Sequence, residues 1–455
     1  MEHSESVRAL AAEYWAFEKT LASCEASDET AHLTIFNGNK SKPIHRWFLF
    51  KEGFSDELLT WVASHFALNL RNCQQILDPF CGVGTSLLAA QLALPNGALT
   101  NLWGVERNPF ISFVAQTKLN WHVYRIDQLQ SFITMLVRPL GDNDRGLLEK
   151  PELTTIKNPS VFSDSTLSDL LGYRARIERQ CDGMPERDFF LLGWSSIIER
   201  VSGVRRDGRA LRFVGKNEDA SVSKELEEQW KNMVQDLQTV RSTYEASESG
   251  LRPANAKVIS GDGRSIEVED IKDGSVDLIV YSPPYLNNID YSEVYKLELW
   301  LMGLVNSREE FLQLRRNTFR SHPSVSFPKT TTLDSLAKDG WAVRLREALL
   351  EAIPNDKDHA WRERLFRAYI DDTLASLKRQ CDLSRPGSLV ICVVGNSMHG
   401  RTGHPIIVAT DLIVTALAQL AGFDVERLQV ARQLRRRDHD NKFLRESILV
   451  FRKPK

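Results

Sequence analysis

The tetrapeptide with the clearest chemical potential in this sequence is Ser282-Pro283-Pro284-Tyr285. It follows an apolar run, Asp277 to Tyr281, which we predict to be a buried strand. Two consecutive prolines cannot continue a strand, because each lacks an N–H and has a fixed φ. Their carbonyl groups therefore face whatever lies above the strand end. A hydroxyl before the prolines and an aromatic ring after them suit a flat group with an amino nitrogen, such as cytosine or adenine.

A second stretch with ligand-binding character is Asp78-Pro79-Phe80-Cys81-Gly82-Val83-Gly84-Thr85. A strand is predicted before it and a helix after it, which is the context that a nucleotide-type turn requires. Gly82 and Gly84 would let the backbone turn tightly and approach a ligand. The spacing is F-x-G-x-G rather than G-x-G-x-x-G, so it implies no pyrophosphate pocket and disfavours a nicotinamide cofactor.

Two acidic residues are predicted to complete this ligand site from neighbouring strand ends. The strand over Leu102 to Val105 leads to Glu106, 22 residues after Gly84. A carboxylate at about this spacing can accept hydrogen bonds from both hydroxyls of a ribose. A further strand, which begins at Lys257, ends at Asp262.

Together the two motifs resemble those of the amino-group DNA methyltransferases of the S-P-P-Y type, which modify N4 of cytosine or N6 of adenine. The resemblance implies that Ser282, Pro283, Pro284 and Tyr285 are the catalytic residues and that the cofactor is S-adenosyl-L-methionine. It also implies that Asp262 contacts the adenine amino group of the cofactor and that the segment around residue 50 covers its methionine end. The cofactor-binding residues implied in this way are Lys51, Phe54, Asp78, Pro79, Phe80, Gly82, Gly84, Thr85, Glu106 and Asp262.

The same resemblance implies an α/β fold, the class I (Rossmann-like) methyltransferase fold, with a sheet of about seven strands. Residues 1–120 would form the N-terminal part of the catalytic domain with the cofactor motif. Residues 256–455 would form its C-terminal part with the S-P-P-Y motif and end in an antiparallel pair of strands. Residues 121–255 read as a mainly helical insertion, which by analogy with the family is the candidate target-recognition region.

Two arginine-rich segments are candidates for contacts with nucleic-acid phosphates. The first lies in the insertion and contains Arg205, Arg206, Arg209 and Arg212. The second lies in a predicted loop between the last two strands and contains Arg435, Arg436 and Arg437. Each segment could instead be a solvated charged turn. The net charge of −2 does not exclude nucleic acid, because local basic patches rather than the average charge meet phosphates.

The composition is that of an ordinary globular protein, with 455 residues, 42% of them hydrophobic and 26% charged. No apolar run reaches the roughly 18 residues that a membrane span needs, and the polar, acidic N-terminus does not resemble a secretory signal. The six cysteines form no C-x-x-C pair, which argues against a zinc site and a disulfide framework. We therefore expect no metal, no membrane and a cytoplasmic location.

These features predict a DNA (cytosine-N4)-methyltransferase that flips its target base out of double-stranded DNA. Ser282 favours cytosine, because in this family Ser at that position is associated mainly with cytosine N4, and Asp or Asn with adenine N6. The alternatives are an adenine-N6 DNA methyltransferase, an RNA (tRNA) base methyltransferase, a protein glutamine methyltransferase, which Ser282 disfavours, and a non-catalytic cofactor-binding subunit. A cognate restriction enzyme would be a separate protein, because no trustworthy nuclease motif occurs in this chain.

Overall fold

A computed structural model describes residues 2–141, 144, 156, 161–207, 210–215, 221–244, 251–287, 289–323, 327, 330–400, 405–434 and 442–455. Its strands are β1 (Ser23–Cys24), β2 (Gln75–Asp78), β3 (Asn101–Glu106), β4 (Val204–Asp207), β5 (Ala210–Phe213), β6 (Asn255–Ser260), β7 (Val276–Tyr281), β8 (Ser384–Gly395), β9 (Ser397–His399), β10 (Ile406–Val408), β11 (Asp424–Gln433) and β12 (Arg445–Arg452).

The α-helices are α1 (Glu2–Glu18), α2 (Asp28–Ala31), α3 (Glu57–His65), α4 (Thr85–Ala93), α5 (Pro109–Leu119), α6 (Ile126–Leu136), α7 (Asp164–Gln180), α8 (Glu186–Val201), α9 (Val222–Tyr244), α10 (Tyr291–Val294), α11 (Lys296–Leu301), α12 (Arg308–Arg316), α13 (Thr332–Leu336), α14 (Trp341–Glu351), α15 (His359–Leu383) and α16 (Thr410–Ala421). Six of these described helices, α10 to α15, follow one another between β7 and β8, and in the insertion the β4–β5 hairpin separates α6–α8 from α9. Short 3₁₀ helices cover Phe36–Ser41, His45–Trp47 and Leu70–Asn72.

Eight strands form one sheet in the order β1-β11-β12-β8-β7-β2-β3-β6. Strands β8, β7, β2, β3 and β6 run parallel to one another. Strand β12 runs antiparallel to both β8 and β11. The chain passes from β2 towards β3 and β6 on one side, and from β7 towards β8 on the other. This mostly parallel sheet, with its antiparallel last pair, confirms the predicted class I methyltransferase fold; the two-residue β1 adds an eighth strand to the seven expected.

Both faces of the sheet are covered, which explains why most residues of its central strands are apolar. Side chains alternate between the faces along each strand. In β7, Leu278 and Val280 pack into one hydrophobic core, while Ile279 and Tyr281 pack into the other. The first core is shared with α3, α4 and α5, and the second with α14, α15 and α16.

The insertion packs onto the first of these two cores instead of forming a core of its own. Trp230 of α9 and Phe189 of α8 are fully buried in it, and the ring of Phe189 meets the edge of Trp47 at 5.4 Å between centroids. Arg46 also forms an ion pair of 2.6 Å with the buried Asp236 of α9. The insertion and the catalytic domain therefore share one continuous interior.

The arginine-rich segment of the insertion forms an antiparallel hairpin of β4 and β5 rather than an open loop. The hairpin lies against α10, the short helix that follows the S-P-P-Y turn. Its position brings the insertion next to the end of β7.

Candidate active site

A cleft of about 890 Å³ opens at the carboxyl ends of β2, β3, β6 and β7, and we call it the strand-end cleft. The neighbouring strands β2 and β7 continue into opposite halves of the sheet. Open α/β sheets bind ligands at such a topological switch point. The sequence-predicted site residues that line the cleft are Pro79, Phe80, Gly82, Glu106, Asp262, Ser282, Pro283 and Pro284.

The glycine turn after β2 depends on backbone conformations that suit glycine. Gly82 and Gly84 have φ values of +51° and +79°. A Cβ at Gly82 would lie 3.3 Å from the ring of Phe50, and one at Gly84 would lie 3.3 Å from the Cβ of Ala115. The absence of a side chain at Gly82 therefore lets the Phe50 ring lie close to the turn, and its absence at Gly84 allows α4 to pack closely on α5.

Asp78 supports this turn from the protein interior and does not line the cleft. It is 1% exposed, and its carboxylate accepts hydrogen bonds from the backbone N–H of Phe80 and from the hydroxyl of Ser86. Burial raises the pKa of Asp78 to about 7. Thr85 is likewise buried at the start of α4, so both residues support the turn rather than face a ligand.

Glu106 ends β3 and faces the cleft with a fixed carboxylate. Its two oxygens accept hydrogen bonds from the N–H groups of Gly82, at 3.1 Å, and Asn108, at 2.8 Å. Burial raises its pKa to about 7. One further lone pair on each oxygen can accept a hydrogen bond from a ligand.

Asp262 also lines the cleft, but Arg264 occupies its carboxylate. The Arg264 side chain binds both oxygens at 2.6–3.1 Å, and its backbone N–H donates to Oδ1 at 2.9 Å. The guanidinium holds the pKa of Asp262 below its usual range against the opposing effect of burial. A contact between this carboxylate and an adenine amino group therefore requires Arg264 to move.

The S-P-P-Y turn leaves β7 at the centre of the cleft. Ser282 Oγ donates to the carbonyl oxygen of Val393, at 3.0 Å, and lies 3.3 Å from the hydroxyl of Tyr285. The Tyr285 ring packs on Gly395, where a Cβ would come within 2.7 Å of it, and does not line the cleft. Burial raises the pKa of Tyr285 well above its ordinary value, so the phenol stays protonated. Stacking of this ring on a base stays a prediction.

Lys51 and Phe54 also lie away from the cleft surface. Phe54 is buried in the core, and Lys51 is exposed with its ammonium 3.3 Å from the carbonyl oxygen of Arg206. The residues of this segment that do line the cleft are Phe50 and Glu52. The family resemblance predicted that this segment covers part of the cofactor, but not which of its side chains face the cleft.

Several cleft residues were missed because they come from distant parts of the chain. Phe50 stacks on Tyr291, with rings 6.5 Å apart and 20° from parallel. Phe319 meets the edge of Phe80 at 5.6 Å, and Ser321 beside it lines the same wall.

The arginines of the first basic segment point in different directions. Arg212 is exposed, with 68% of its side chain accessible, while Arg205 donates to backbone carbonyls of its own turn. Arg206 is directed inwards, with only 10% of its side chain accessible, and it pairs with Glu199 and Glu298. This placement corrects the expectation that Arg206 contacts phosphate. The remaining basic candidates, Arg209, Arg435, Arg436 and Arg437, lie outside the described residues.

Comparison with known proteins gives full-length relatives for this arrangement. The chain is 24% identical over 465 residues to the Type II methyltransferase M.AvaI of a Nostoc species, an alignment that covers 93% of this chain and 89% of that protein. It is 25% identical over 301 residues to the Type II methyltransferase M.BsoBI of Geobacillus stearothermophilus, covering 60% of this chain and 55% of that protein. The chain is thus similar in sequence to these Type II methyltransferases. That relationship and the fold support S-adenosyl-L-methionine as the cofactor.

Solved structures are similar only in part. A Thermus thermophilus protein assigned as a DNA modification methylase, crystallised with S-adenosyl-L-methionine, is 16% identical over 43% of this chain and 54% of its own, with a TM-score of 0.23. A methyltransferase of Methanosarcina mazei is 11% identical over 86% of this chain and 96% of its own, with a TM-score of 0.28. Both scores are too low to decide anything about this protein. No protein-family model matches the chain.

No described helix has the length and apolar character to cross a membrane. Within the same residues, no group of three or more His, Cys, Asp and Glu side chains is arranged to hold a metal ion.

Proposed function

We propose that this protein is a site-specific DNA methyltransferase that transfers the methyl group of S-adenosyl-L-methionine to the exocyclic amino group of a flipped base, with cytosine N4 as the preferred acceptor. The observation that carries the proposal is the convergence of Ser282, Pro283 and Glu106 in one cleft at the switch point of the sheet. The Type II methyltransferase names of the full-length relatives support it.

The residues of the cleft fit the proposed cofactor at its ribose. Glu106 is fixed by Gly82 and Asn108 and retains one lone pair on each oxygen, which matches two neighbouring hydroxyls. The aromatic wall formed by Phe50 can approach closely because residue 82 has no side chain. When bound, S-adenosyl-L-methionine supplies a methyl group that its sulfonium already activates, so the chain needs no covalent nucleophile.

The S-P-P-Y turn would activate the acceptor nitrogen. The amino nitrogen of a base is a weak nucleophile, because its lone pair is delocalised into the ring. Ser282 directs its own proton to the carbonyl of Val393, so Oγ has lone pairs left to accept one amino hydrogen. The Pro283 carbonyl is the proposed second acceptor. Holding both hydrogens favours an sp³-like nitrogen, whose lone pair can attack the methyl group.

The choice of cytosine rests on Ser282. In the S-P-P-Y family that the sequence resembles, Ser at this position is associated mainly with cytosine N4 and Asp or Asn with adenine N6, although each of these side chains can accept from either amino group. On that resemblance we propose N4-methylcytosine as the product and retain N6-methyladenine as the alternative.

DNA would reach the cleft with its target base flipped, at a cost of a few kcal/mol for unpairing and unstacking. The β4–β5 hairpin lies beside α10 at the cleft and exposes Arg212, so we propose that it contacts the DNA backbone. The insertion that carries it is the proposed target-recognition region. The Type II names of the relatives support a restriction-modification setting, with a cognate restriction enzyme as a separate protein.

Nucleoside mass spectrometry after incubation of DNA with the purified protein and labelled S-adenosyl-L-methionine tests this proposal. We expect labelled N4-methylcytosine from the wild type and almost none from Ser282→Ala, the matched control that keeps the cofactor-facing residues. Labelled N6-methyladenine would overturn the base assignment. Label in tRNA but not in DNA would overturn the substrate class, and cofactor binding without transfer to any nucleic acid would favour a binding subunit.

A further inference from the structure

Arg206 joins the insertion to the catalytic domain through a buried cluster of charges. Its side chain donates to Glu199 at 2.9 Å and pairs with Glu298, which is 1% exposed. The guanidinium carbon lies 4.7 Å from the ring centre of Tyr295. Arg206 thus lies in β4, whereas Glu298 and Tyr295 belong to the segment that follows the S-P-P-Y turn.

Tyr295 carries this connection to the cleft. Its hydroxyl donates to the Oε2 of Glu52 at 3.0 Å, and its ring stacks on Phe50 at 5.6 Å, 17° from parallel. Glu52 lines the strand-end cleft and also borders a neighbouring cavity whose walls include Arg206 and Tyr295. A continuous series of contacts therefore runs from the hairpin to a carboxylate in the cleft.

The geometry points to Arg206 as a positioning residue for the cofactor site: it fixes Tyr295, and through Tyr295 it orients Glu52 to bind the cofactor's amino-acid ammonium group. This inference rests on the proposed function, because it presumes that the strand-end cleft binds S-adenosyl-L-methionine. It also makes cofactor affinity depend on how the hairpin is docked.

The chemistry of Glu52 matches this ligand. A carboxylate with one oxygen held by a tyrosine hydroxyl keeps its remaining lone pairs for a second donor, and a charge-assisted bond to an ammonium is stronger than a neutral one. Phe50 and Tyr291, which line the cleft near Glu52, are uncharged, so Glu52 is the residue among these three that can bind an ammonium as an anion. Glu106 is assigned to the ribose by its own fixed geometry.

Calorimetry with three ligands tests the inference. The ligands are S-adenosyl-L-methionine, S-adenosylhomocysteine, which keeps the ammonium, and methylthioadenosine, which lacks the whole amino-acid part. For Glu52→Gln and Arg206→Met we expect affinity for the first two ligands to fall about 10-fold, as for loss of a charge-assisted bond. Affinity for methylthioadenosine should stay within about twofold, because a local loss at the ammonium does not reach the adenosine.

Three further variants separate positioning from folding and from DNA contact. Tyr295→Phe removes a single hydroxyl and should reproduce a smaller loss for the same two ligands. Combining Arg206→Met with Glu52→Gln should add little to Glu52→Gln alone, because both act on one contact. Arg206→Met should leave the salt dependence of DNA binding unchanged, whereas Arg212→Ala should flatten its log–log slope by about 0.9.

The inference fails if Tyr295→Phe and Glu52→Gln bind all three ligands as the wild type does, or if they weaken methylthioadenosine equally. It also fails if Arg206→Met flattens the salt slope and leaves the affinity for S-adenosyl-L-methionine intact, since Arg206 would then be a phosphate contact. A wild type that binds none of the three ligands would instead overturn the proposed function.

Discussion

Two carboxyl groups, that of the buried Asp78 and that of the partly buried Glu106, lie at adjacent strand ends and hold the glycine turn from opposite sides. Asp78 holds the loop from inside through Phe80 and Ser86, and Glu106 holds Gly82 from the cleft side. Burial raises the pKa of each to about 7. Each therefore costs folding energy when it is charged, which makes the turn sensitive to pH.

The stability of the protein falls as pH rises, because the folded state retains these two protons to a higher pH than the unfolded state does. From about pH 4 to 7 the unfolded chain loses protons that the folded chain retains, so stability falls as pH rises through this window, by up to about 1.4 kcal/mol per pH unit and group. Asp78→Asn removes one of the two groups and should make the fall shallower. Urea denaturation of the wild type and of Asp78→Asn at pH 5, 6 and 7 measures how the free energy of unfolding changes with pH. An equal change with pH in the two proteins would contradict the assignment to Asp78.

Ser282→Ala should separate chemistry from cofactor binding. Removing the hydroxyl leaves one amino hydrogen of the base without its acceptor, which costs about 1–3 kcal/mol and slows methyl transfer about 10- to 100-fold. The affinity for S-adenosyl-L-methionine should stay near that of the wild type, because we propose that Ser282 contacts the base rather than the cofactor. Single-turnover methylation and calorimetry provide the two measurements. A normal rate would remove Ser282 from the catalytic residues.

Among the elements, the end of β8 supports the S-P-P-Y turn most directly. The carbonyl oxygen of Val393 accepts a hydrogen bond from Ser282. Two residues later, Gly395 leaves the space that the ring of Tyr285 fills. The position of the turn thus depends on register between β7 and β8, where Tyr281 pairs with Cys392.

Gly395→Ala should consequently displace the catalytic turn. The new Cβ would lie 2.7 Å from the Tyr285 ring, closer than atoms of this kind approach, so the ring must shift. Overpacking of this kind typically costs about 1–3 kcal/mol, and we expect a slower methylation rate with cofactor affinity nearly unchanged. Gly141→Ala is the matched control, because nothing lies within 4 Å of its Cβ position. Similar rates for the two variants would show that the turn tolerates the shift.

The elements also show which parts of the site are readable from the sequence. The strand, glycine turn and helix around Gly82, and the acid at Glu106, follow from local patterns, and the structure brings them into one cleft. The inward direction of Arg206 could not be predicted from the local sequence, which is that of a basic loop. Its buried partner Glu298 lies 92 residues away in the chain. The ion pair that occupies Asp262 was missed although Arg264 is only two residues away, since spacing does not reveal side-chain direction.

In the whole molecule, the insertion packs into the same core as the preceding part of the chain, so we expect the two to unfold together. Asp236 of α9 accepts hydrogen bonds from Arg46 and from the backbone N–H of Ile44, a residue with φ of +65°. A non-glycine residue in that region is strained. The bond from α9 therefore helps to hold the segment that leads to Phe50.

Asp236→Asn should destabilise the whole protein rather than the insertion alone. The amide oxygen can still accept from Ile44 and from Arg46 Nε, as Oδ2 does, but the substitution removes the charge and the contact of Oδ1 with Arg46 Nη2, so we expect a loss of about 1–3 kcal/mol. Thermal unfolding should remain a single transition when followed by far-ultraviolet circular dichroism and by tryptophan fluorescence. Two separate transitions would contradict a shared interior.

The shared interior also bears on how target specificity could diversify in this lineage. Where recognition sits in a detachable module, recombination can exchange it and give an enzyme a new target in one step. Here Trp230 and Phe189 of the insertion and Trp47 of the catalytic domain lie in the same core, so a transplanted segment would meet a partner surface shaped for another sequence. We expect chimaeras joined at residues 121 and 255 to fail unless that surface is transplanted too, and new specificities to arise by point substitution on the exposed hairpin.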